Sequence, residues 1–216
     1  MVDFAQARIN MIDGQLRPNG ITDSRILDAF EAINRENFVP ASKRSTAYMD
    51  GDVALGSGRF LVSAMAFAKM LNAAELKSSD KILEIGAATG FGTAILAQIA
   101  RQVISVESDA DLINTARANL SNKVNVSLSE NIMSSGSPNG APYDIILICG
   151  AVETVPEALF SQLSEGGRLI AAIGQGRVVR CCMWTRSGAV HTQRYLFDLT
   201  IATLPGFGKP VSGFAF

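Results

Sequence analysis

Histidine is nearly absent from this 216-residue chain: His191 stands alone. One imidazole cannot build a His-rich metal centre or the paired-histidine helix of a metalloprotease. Cysteine is scarce too. Cys149, Cys181 and Cys182 are odd in number, two are adjacent, and none forms a C-x-x-C motif. That pattern argues against a disulfide scaffold or a thiolate zinc site, and predicts reduced thiols packed in strands. Excess charge is also missing. Lys+Arg 19 against Asp+Glu 20 leaves net −1, too balanced for nucleic-acid binding by counterion release. No apolar run approaches the roughly 18 residues of a membrane-spanning helix. The N-terminus, MVDFAQARINMIDGQL, lacks a basic segment followed by an apolar one, so no signal peptide is predicted. These absences predict a soluble, cytoplasmic protein with no metal, nucleic-acid or membrane partner.

What is present is an apolar chain. At 48% hydrophobic and 18% charged it is too apolar for disorder. A chain of this mass buries about 70% of its unfolded surface, enough for one core with an appendage. The polar stretch Lys77-Ser78-Ser79-Asp80 separates two textures. Before it, helical spacing dominates: Ile26, Leu27, Phe30 and Ile33 share a face behind an N-cap at Asp23, and residues 61–74 read as a buried helix. Between them Gly51 to Gly58 reads as a glycine-rich loop. Residues 1–78 are thus predicted to form a helical cap, and 79–216 the sheet domain.

After Asp80 strands and helices alternate. Strands are predicted at Ile82–Ile85, Gln102–Val106, Val124–Leu128, Ile145–Cys149 and Arg168–Ile173. Helices are predicted at Gly92–Ile99, along Leu112, Ile113, Ala116 and Leu120, and at Val155–Leu163. That order implies right-handed crossovers and a doubly wound, Rossmann-like parallel α/β sheet. Val178–Thr185 and Gln193–Ile201 then follow with no helix between them, so they should pair as an antiparallel hairpin. A parallel sheet ending in such a hairpin is similar to the seven-stranded sheet of class I methyltransferases.

The segment from Leu83 to Gly92, LEIGAATGFG, joins the first of these strands to its helix. Glycines there allow a sharp turn and close approach of a ligand to helix N-terminal amides. About 20 residues beyond Gly86, Glu107 ends the next strand, where a carboxylate can bind a ribose diol. NAD and S-adenosylmethionine both fit that pairing. The dinucleotide pattern would need glycines at 86, 88 and 91; the chain has Gly86, Ala88 and Phe91. Glu84 would also repel a pyrophosphate. S-adenosylmethionine carries an ammonium and a sulfonium and no phosphate, and is the favoured cofactor over an NAD-dependent oxidoreductase.

Four stretches then resemble the protein-L-isoaspartate O-methyltransferase family. They are MIDGQLRPNGITDSRILDAFEAINRENFVP (11–40), AYMDGDVALGSGR (47–59), ILEIGAATGFGTAILA (82–97) and APYDIILICGAVETVPEALFSQLSEGGRLIAAIG (141–174). The resemblance covers nearly the whole chain. It implies S-adenosylmethionine binding by Glu84, Gly86, Gly90 and Glu107, with Ala87, Ala88 and Ser108 beside them. It implies an adenine-reading acid at Glu130, next to Asn131. It implies a partner that is a protein or peptide with an abnormal aspartyl carboxylate, or a small acid.

Two departures stand out. Ala88 replaces the loop's second glycine, which an ordinary backbone conformation would accommodate. The family's Gly-Gln-Thr-Ile-Ser falls on Gly58-Arg59-Phe60-Leu61-Val62, so Val62 stands where the serine near the acceptor is expected. Ser63 substitutes if the loop slips by one residue; otherwise it bonds its own helix backbone.

A carboxylate acceptor is already ionised at neutral pH and needs no general base. Alignment alone can then supply much of the catalysis. Another acceptor would need a base, for which Glu153 or Asp50 are candidates. Arg59 either orients an anionic substrate or is a solvated loop arginine. Tyr48, Asp50, Gly58 and Val62 are the candidate substrate-side residues. His191 is expected at the surface and Trp184 in hairpin packing. Phe207 and Phe216 either cover apolar surface or pack a homodimer boundary. A cofactor-binding module without catalysis remains a further alternative, motivated by Val62 and Ala88.

Overall fold

Carboxylates start the N-terminal helices. In the computed structural model, which describes residues 2–176 and 178–207, Asp3 accepts from the Gln6 amide at 3.0 Å and begins α1 (Phe4–Met11). Asp23 accepts from the Arg25 amide at 2.9 Å and begins α2 (Ser24–Ala32), as its N-cap position predicts. Ile26, Leu27 and Phe30 of α2 are buried, and the Phe30 ring meets Phe91 edge-on at 5.9 Å.

The stretch from Gly51 to Gly58 is not a simple loop. It folds into a hairpin of β1 (Val53–Gly56) and β2 (Arg59–Leu61). The turn at Ser57 and Gly58 has φ of 50° and 69°, the conformation a tight two-residue hairpin needs. The following helix α3 (Ala64–Ala74) therefore starts later than the apolar run at 61–74 suggests. Ser63 caps it by accepting from the Ala66 amide at 3.2 Å.

Seven strands form the main sheet: β3 (Lys81–Ile85), β4 (Gln102–Glu107), β5 (Val126–Glu130), β6 (Tyr143–Val152), β7 (Leu163–Ile173), β8 (Val179–Ser187) and β9 (Val190–Leu199). Their order is β5-β4-β3-β6-β7-β8-β9. The first five run parallel, while β8 is antiparallel to β7 and β9 antiparallel to β8. Helices α4 (Phe91–Ile99) and α5 (Ala110–Asn119) follow β3 and β4. The helix predicted at 155–163 shrinks to α6 (Glu157–Phe160), because Pro156 is its N-cap and the chain turns into β7 at Leu163.

Both faces of the sheet are buried. Ile82, Val103 and Ile145 join one cluster with Leu16, Phe30 and Phe67 of the N-terminal helices. Leu83, Ile104 and Ile146 join the other with Leu159, Leu163 and, from the C-terminal segment, Leu204 and Phe207. Two-sided burial explains the continuous apolar strands. Phe207 thus covers apolar surface within its own chain, while Phe216 lies outside the described residues. Among the described residues no helix is long and apolar enough to cross a membrane, and no group of three or more His, Cys, Asp or Glu is placed to hold a metal ion.

Candidate active site

The strand order reverses between β3 and β6, so their C-terminal ends open the crevice where ligands bind in doubly wound sheets. Gly86 follows the end of β3, and Cys149-Gly150 lie just past Ile148, the last β6 residue paired with β3. The Gly86 and Ala87 amides donate to the Val106 carbonyl at 2.8 and 3.2 Å, which bends the chain out of β3. Gly90 caps α4 with φ 93°. Ala88 sits at φ 50°, not in the ordinary backbone region that its side chain favours. Its amide donates to Glu107 Oε2 at 2.8 Å, and this bond holds the left-handed turn.

The close helix–strand approach, which the dinucleotide pattern would place at residue 91, occurs at Gly92. A Cβ there would collide with Glu84 Oε1 and lie 3.0 Å from Phe67 Cζ. Glu84 is buried. Its Oε2 accepts from Thr93 Oγ1 at 2.5 Å and Ser105 Oγ at 2.7 Å, while among the described residues Oε1 receives only the Cys149 thiol at 3.5 Å. Burial raises the Glu84 pKa above the ordinary value of 4.5, opposed by those hydrogen bonds. Burial, with Glu84 beside it, also pushes the Cys149 thiol well up, so it stays neutral.

Glu107 is fully buried at the end of β4. Oε1 accepts from the Ser108 and Asp109 amides at 2.8 and 3.1 Å. Arg59 forks across both oxygens, Nη1 to Oε1 and Nη2 to Oε2, the latter at 2.8 Å. Arg59 is therefore neither a solvated loop residue nor free to meet a substrate in this arrangement; it is 5% exposed and lies over the glycine loop. Leu204 covers the same loop. A Cβ on Gly86 would meet Leu204 Cδ1 at 2.9 Å, and one on Gly150 would meet Leu204 Cβ at 2.8 Å. Backbone bonds from Ala151 to Ala202 and from Leu204 to Ala151, each 2.8 Å, fasten this segment to the end of β6.

The cleft lined by Phe60, Val62, Gly86 and Ala88 has a volume of about 20 Å³. Small-molecule sites usually span roughly 300–1,000 Å³. The donor set nevertheless fits S-adenosylmethionine: an under-satisfied buried carboxylate oxygen at Glu84, a second buried carboxylate at Glu107, and glycines at 86 and 90 where backbone must come close.

The remaining sequence candidates are distributed as follows. Val62 lines the cleft, and its carbonyl accepts from Arg35 Nη2 at 2.7 Å. Ser63 is buried, its Oγ spent on the α3 cap and its amide donated to Asp52 Oδ1 at 2.7 Å. Tyr48 is buried and does not line the cleft. Its hydroxyl donates to Glu36 Oε2 at 2.5 Å and accepts from the Arg35 amide at 3.2 Å. Burial, with Glu36 beside it, raises the Tyr48 pKa to about 12. Asp50 and Gly58 border two open grooves on either side of Phe60, of about 310 and 500 Å³. Glu130 is exposed as the last residue of β5, 3.8 Å from Arg117, and Ser108 and Asn131 are exposed just past the ends of β4 and β5. His191 and Trp184 pack against Phe160 in the terminal hairpin, at ring distances of 4.8 and 5.8 Å.

Sequence reasoning missed three contributors. Leu204 reaches the site from the far end of the chain, and no local signal marks it. Asp52 ties the β1–β2 hairpin to the C-terminal segment, accepting from the Ser63 and Ala202 amides at 2.7 and 2.6 Å. Arg35 is 1% exposed, stacked 4.6 Å from the Phe91 ring, and bonds the Ala47 and Val62 carbonyls. Its neighbours Asn34, Glu36 and Asn37 are polar, so no local signal marks it as buried.

Comparison with known proteins follows the same lines. The sequence profile of the protein-L-isoaspartate(D-aspartate) O-methyltransferase family matches residues 7–197. A protein-L-isoaspartate O-methyltransferase from Koribacter versatilis is 40% identical over 176 residues, covering 81% of this chain and 79% of the relative. A second from Marinobacter nauticus is 34% identical over 210 residues, covering 94% and 95%. A solved protein-L-isoaspartate O-methyltransferase superposes with a TM-score of 0.80 at 25% identity, covering 93% of this chain and 67% of that one. A Plasmodium falciparum structure in complex with S-adenosyl-L-homocysteine shares the fold, with a TM-score of 0.77 at 18% identity over 95% of this chain and all of that one.

Proposed function

The chain belongs to the protein-L-isoaspartate(D-aspartate) O-methyltransferase family of S-adenosylmethionine-dependent methyltransferases, and on that premise we propose that it methylates the abnormal carboxylate of isoaspartyl residues in damaged protein. The observation that carries this reading is the pair of buried carboxylates, Glu84 and Glu107, flanking the glycine turn at the sheet's switch point.

The cofactor, when bound, supplies an electrophilic methyl group on a sulfonium. Glu84 Oε1 is the natural partner for its ammonium, and Glu107 for its ribose diol. Gly86, Ala87, Ala88 and Gly90 provide the turn against which it lies, and Ser108, Glu130 and Asn131 border its adenine end. The acceptor reaches the cleft past Gly58, Phe60 and Val62. The acceptor's ionised carboxylate oxygen would take that methyl group, the bonding pair remaining on the sulfur it leaves. No proton moves, so no general base is needed. The chain's own contribution is alignment and exclusion of water, consistent with a cleft lined by Phe60, Val62, Phe67 and Phe91 and lacking histidine.

The test is transfer of labelled methyl to a peptide containing isoaspartate, against the same peptide with normal aspartate. Incorporation that requires the isoaspartyl linkage supports the reading; none, with S-adenosylhomocysteine binding intact, rejects it. One observation favours a second reading, a methyltransferase acting on a different carboxyl acceptor. Val62 stands where the family carries its serine, and the Ser63 hydroxyl is engaged in the α3 cap. Methylation of small carboxylic acids, but not of the isoaspartyl peptide, would select that reading.

A further inference from the structure

Glu107 has two claimants. The proposed function gives its oxygens to the cofactor's ribose, yet both are forked by Arg59. The two partners are unequally provided for when separated. Glu107 keeps three backbone donors, the amides of Ala88, Ser108 and Asp109, at 2.8, 2.8 and 3.1 Å. Among the described residues the Arg59 guanidinium keeps nothing better than the Met133 sulfur at 4.0 Å from Nη1. Removing the partner of a buried charge is strongly unfavourable unless another anion replaces it.

We propose that Arg59 is a positioning residue that exchanges partners, leaving Glu107 when the cofactor binds and taking the carboxylate of the methyl acceptor. The inference deepens the reading above and rests on its carboxylate acceptor. The geometry suits the exchange. Arg59 begins β2, and Val62, three residues on, lines the cleft. Nη2 lies 3.6 Å from where a Cβ on Gly86 would sit, over the turn itself. A planar guanidinium fits a carboxylate with two parallel hydrogen bonds, whether it belongs to Glu107 or to the acceptor.

Two consequences follow. Cofactor and acceptor bind cooperatively, because each relieves a cost of the other: the cofactor frees the guanidinium and the acceptor repairs its lost pairing. Methylation then removes the acceptor's charge, so the guanidinium loses its partner and returns to Glu107, favouring release of the spent cofactor.

Calorimetric titration with S-adenosylhomocysteine, which needs no turnover, tests the exchange. For the wild-type protein, a saturating isoaspartyl peptide should tighten binding about tenfold, within the usual range of coupling between sites. The methyl ester of the same peptide should leave binding unchanged. Arg59→Gln should bind S-adenosylhomocysteine more tightly with no peptide present and show no coupling. Arg59→Lys, which keeps the charge but not the fork, should retain part of it. Thermal melts establish that both variants fold. Absence of coupling in the wild type overturns the proposal, even if Arg59→Gln binds more tightly, because the side chain then merely leaves for solvent. Weaker binding by Arg59→Gln in the absence of peptide also overturns it, since Arg59 would then be aiding the cofactor. Methyl incorporation into the same peptide is read separately: no incorporation removes the acceptor assignment, whereas the peptide-free affinities judge the Arg59–Glu107 competition alone.

Discussion

The amide of Ala88, held at φ 50°, donates to Glu107 Oε2 at 2.8 Å. That bond obliges a residue with a side chain to adopt a conformation costing about 1–2 kcal/mol for anything but glycine. The carboxylate proposed to serve the cofactor thus also holds the turn in shape.

Ala88→Gly should relieve that strain. Part of the gain is offset by the greater freedom of glycine in the unfolded chain, about 0.5–1 kcal/mol. A net stabilisation of up to about 1 kcal/mol is expected, raising Tm by about 2–4 °C in a chain of this size. Differential scanning calorimetry checks it; an unchanged or lower Tm would show that the turn is not strained.

Gly92→Ala acts in the opposite sense. The new methyl collides with Glu84 Oε1 and crowds Phe67. Overpacking of this kind typically costs about 1–3 kcal/mol. Displacement of Glu84 should in addition weaken S-adenosylhomocysteine binding, read by calorimetry on the folded variant. Wild-type stability and affinity in Gly92→Ala would refute the close approach.

Glu84 carries a pH dependence. Burial raises its folded pKa above the ordinary 4.5. The sign follows directly: its contribution to stability is fully present below about 4.5 and declines as pH rises through the higher folded value. At neutral pH the ionised form is the unfavourable one, so Glu84→Gln should be no less stable than wild type at pH 7. The stability difference should shrink on acidification. Cofactor binding should run the other way, because an ammonium prefers the ionised carboxylate. Glu84→Gln should lose about 10- to 100-fold in S-adenosylhomocysteine affinity, as for one charge-assisted hydrogen bond. Wild-type affinity should fall as pH drops through the Glu84 pKa, and the variant's should not.

Asp52 binds the Ser63 and Ala202 amides, joining the β1–β2 hairpin to the segment that carries Leu204. Asp52→Ala leaves both donors without their carboxylate, a loss of about 3 kcal/mol at 1.5 kcal/mol or more per charged hydrogen bond. Hydrogen exchange should quicken first at Ala202 and Leu204, and a uniform change over the whole sheet would contradict a local clasp.

The fold was largely legible in the sequence because its signals are local. Apolar runs at Ile82–Ile85 and Ile145–Cys149 mark buried parallel strands, and the absence of a helix between the last two runs marks the antiparallel hairpin. Asp23 marks a helix start by the chemistry of its own side chain. Local reasoning went astray where a neighbour distant in sequence decided the outcome. The helix near residue 160 is cut short by β7, which pairs with β6 along its length. The glycine stretch at 51–58 becomes a hairpin that reads as loop because its strands span only 4 and 3 residues.

The site divides the same way. By itself the sequence determined the glycine turn and the acid at the end of β4, since each depends on residue identity at fixed spacing. Only the tertiary structure decided which charges meet. Arg59 and Glu107 are separated by 48 residues of chain, and Asp52 and Ala202 by 150. No periodicity connects such pairs. They are brought together because the strands converge at one end of the sheet, where burial leaves a charged group few partners and so makes each pairing matter.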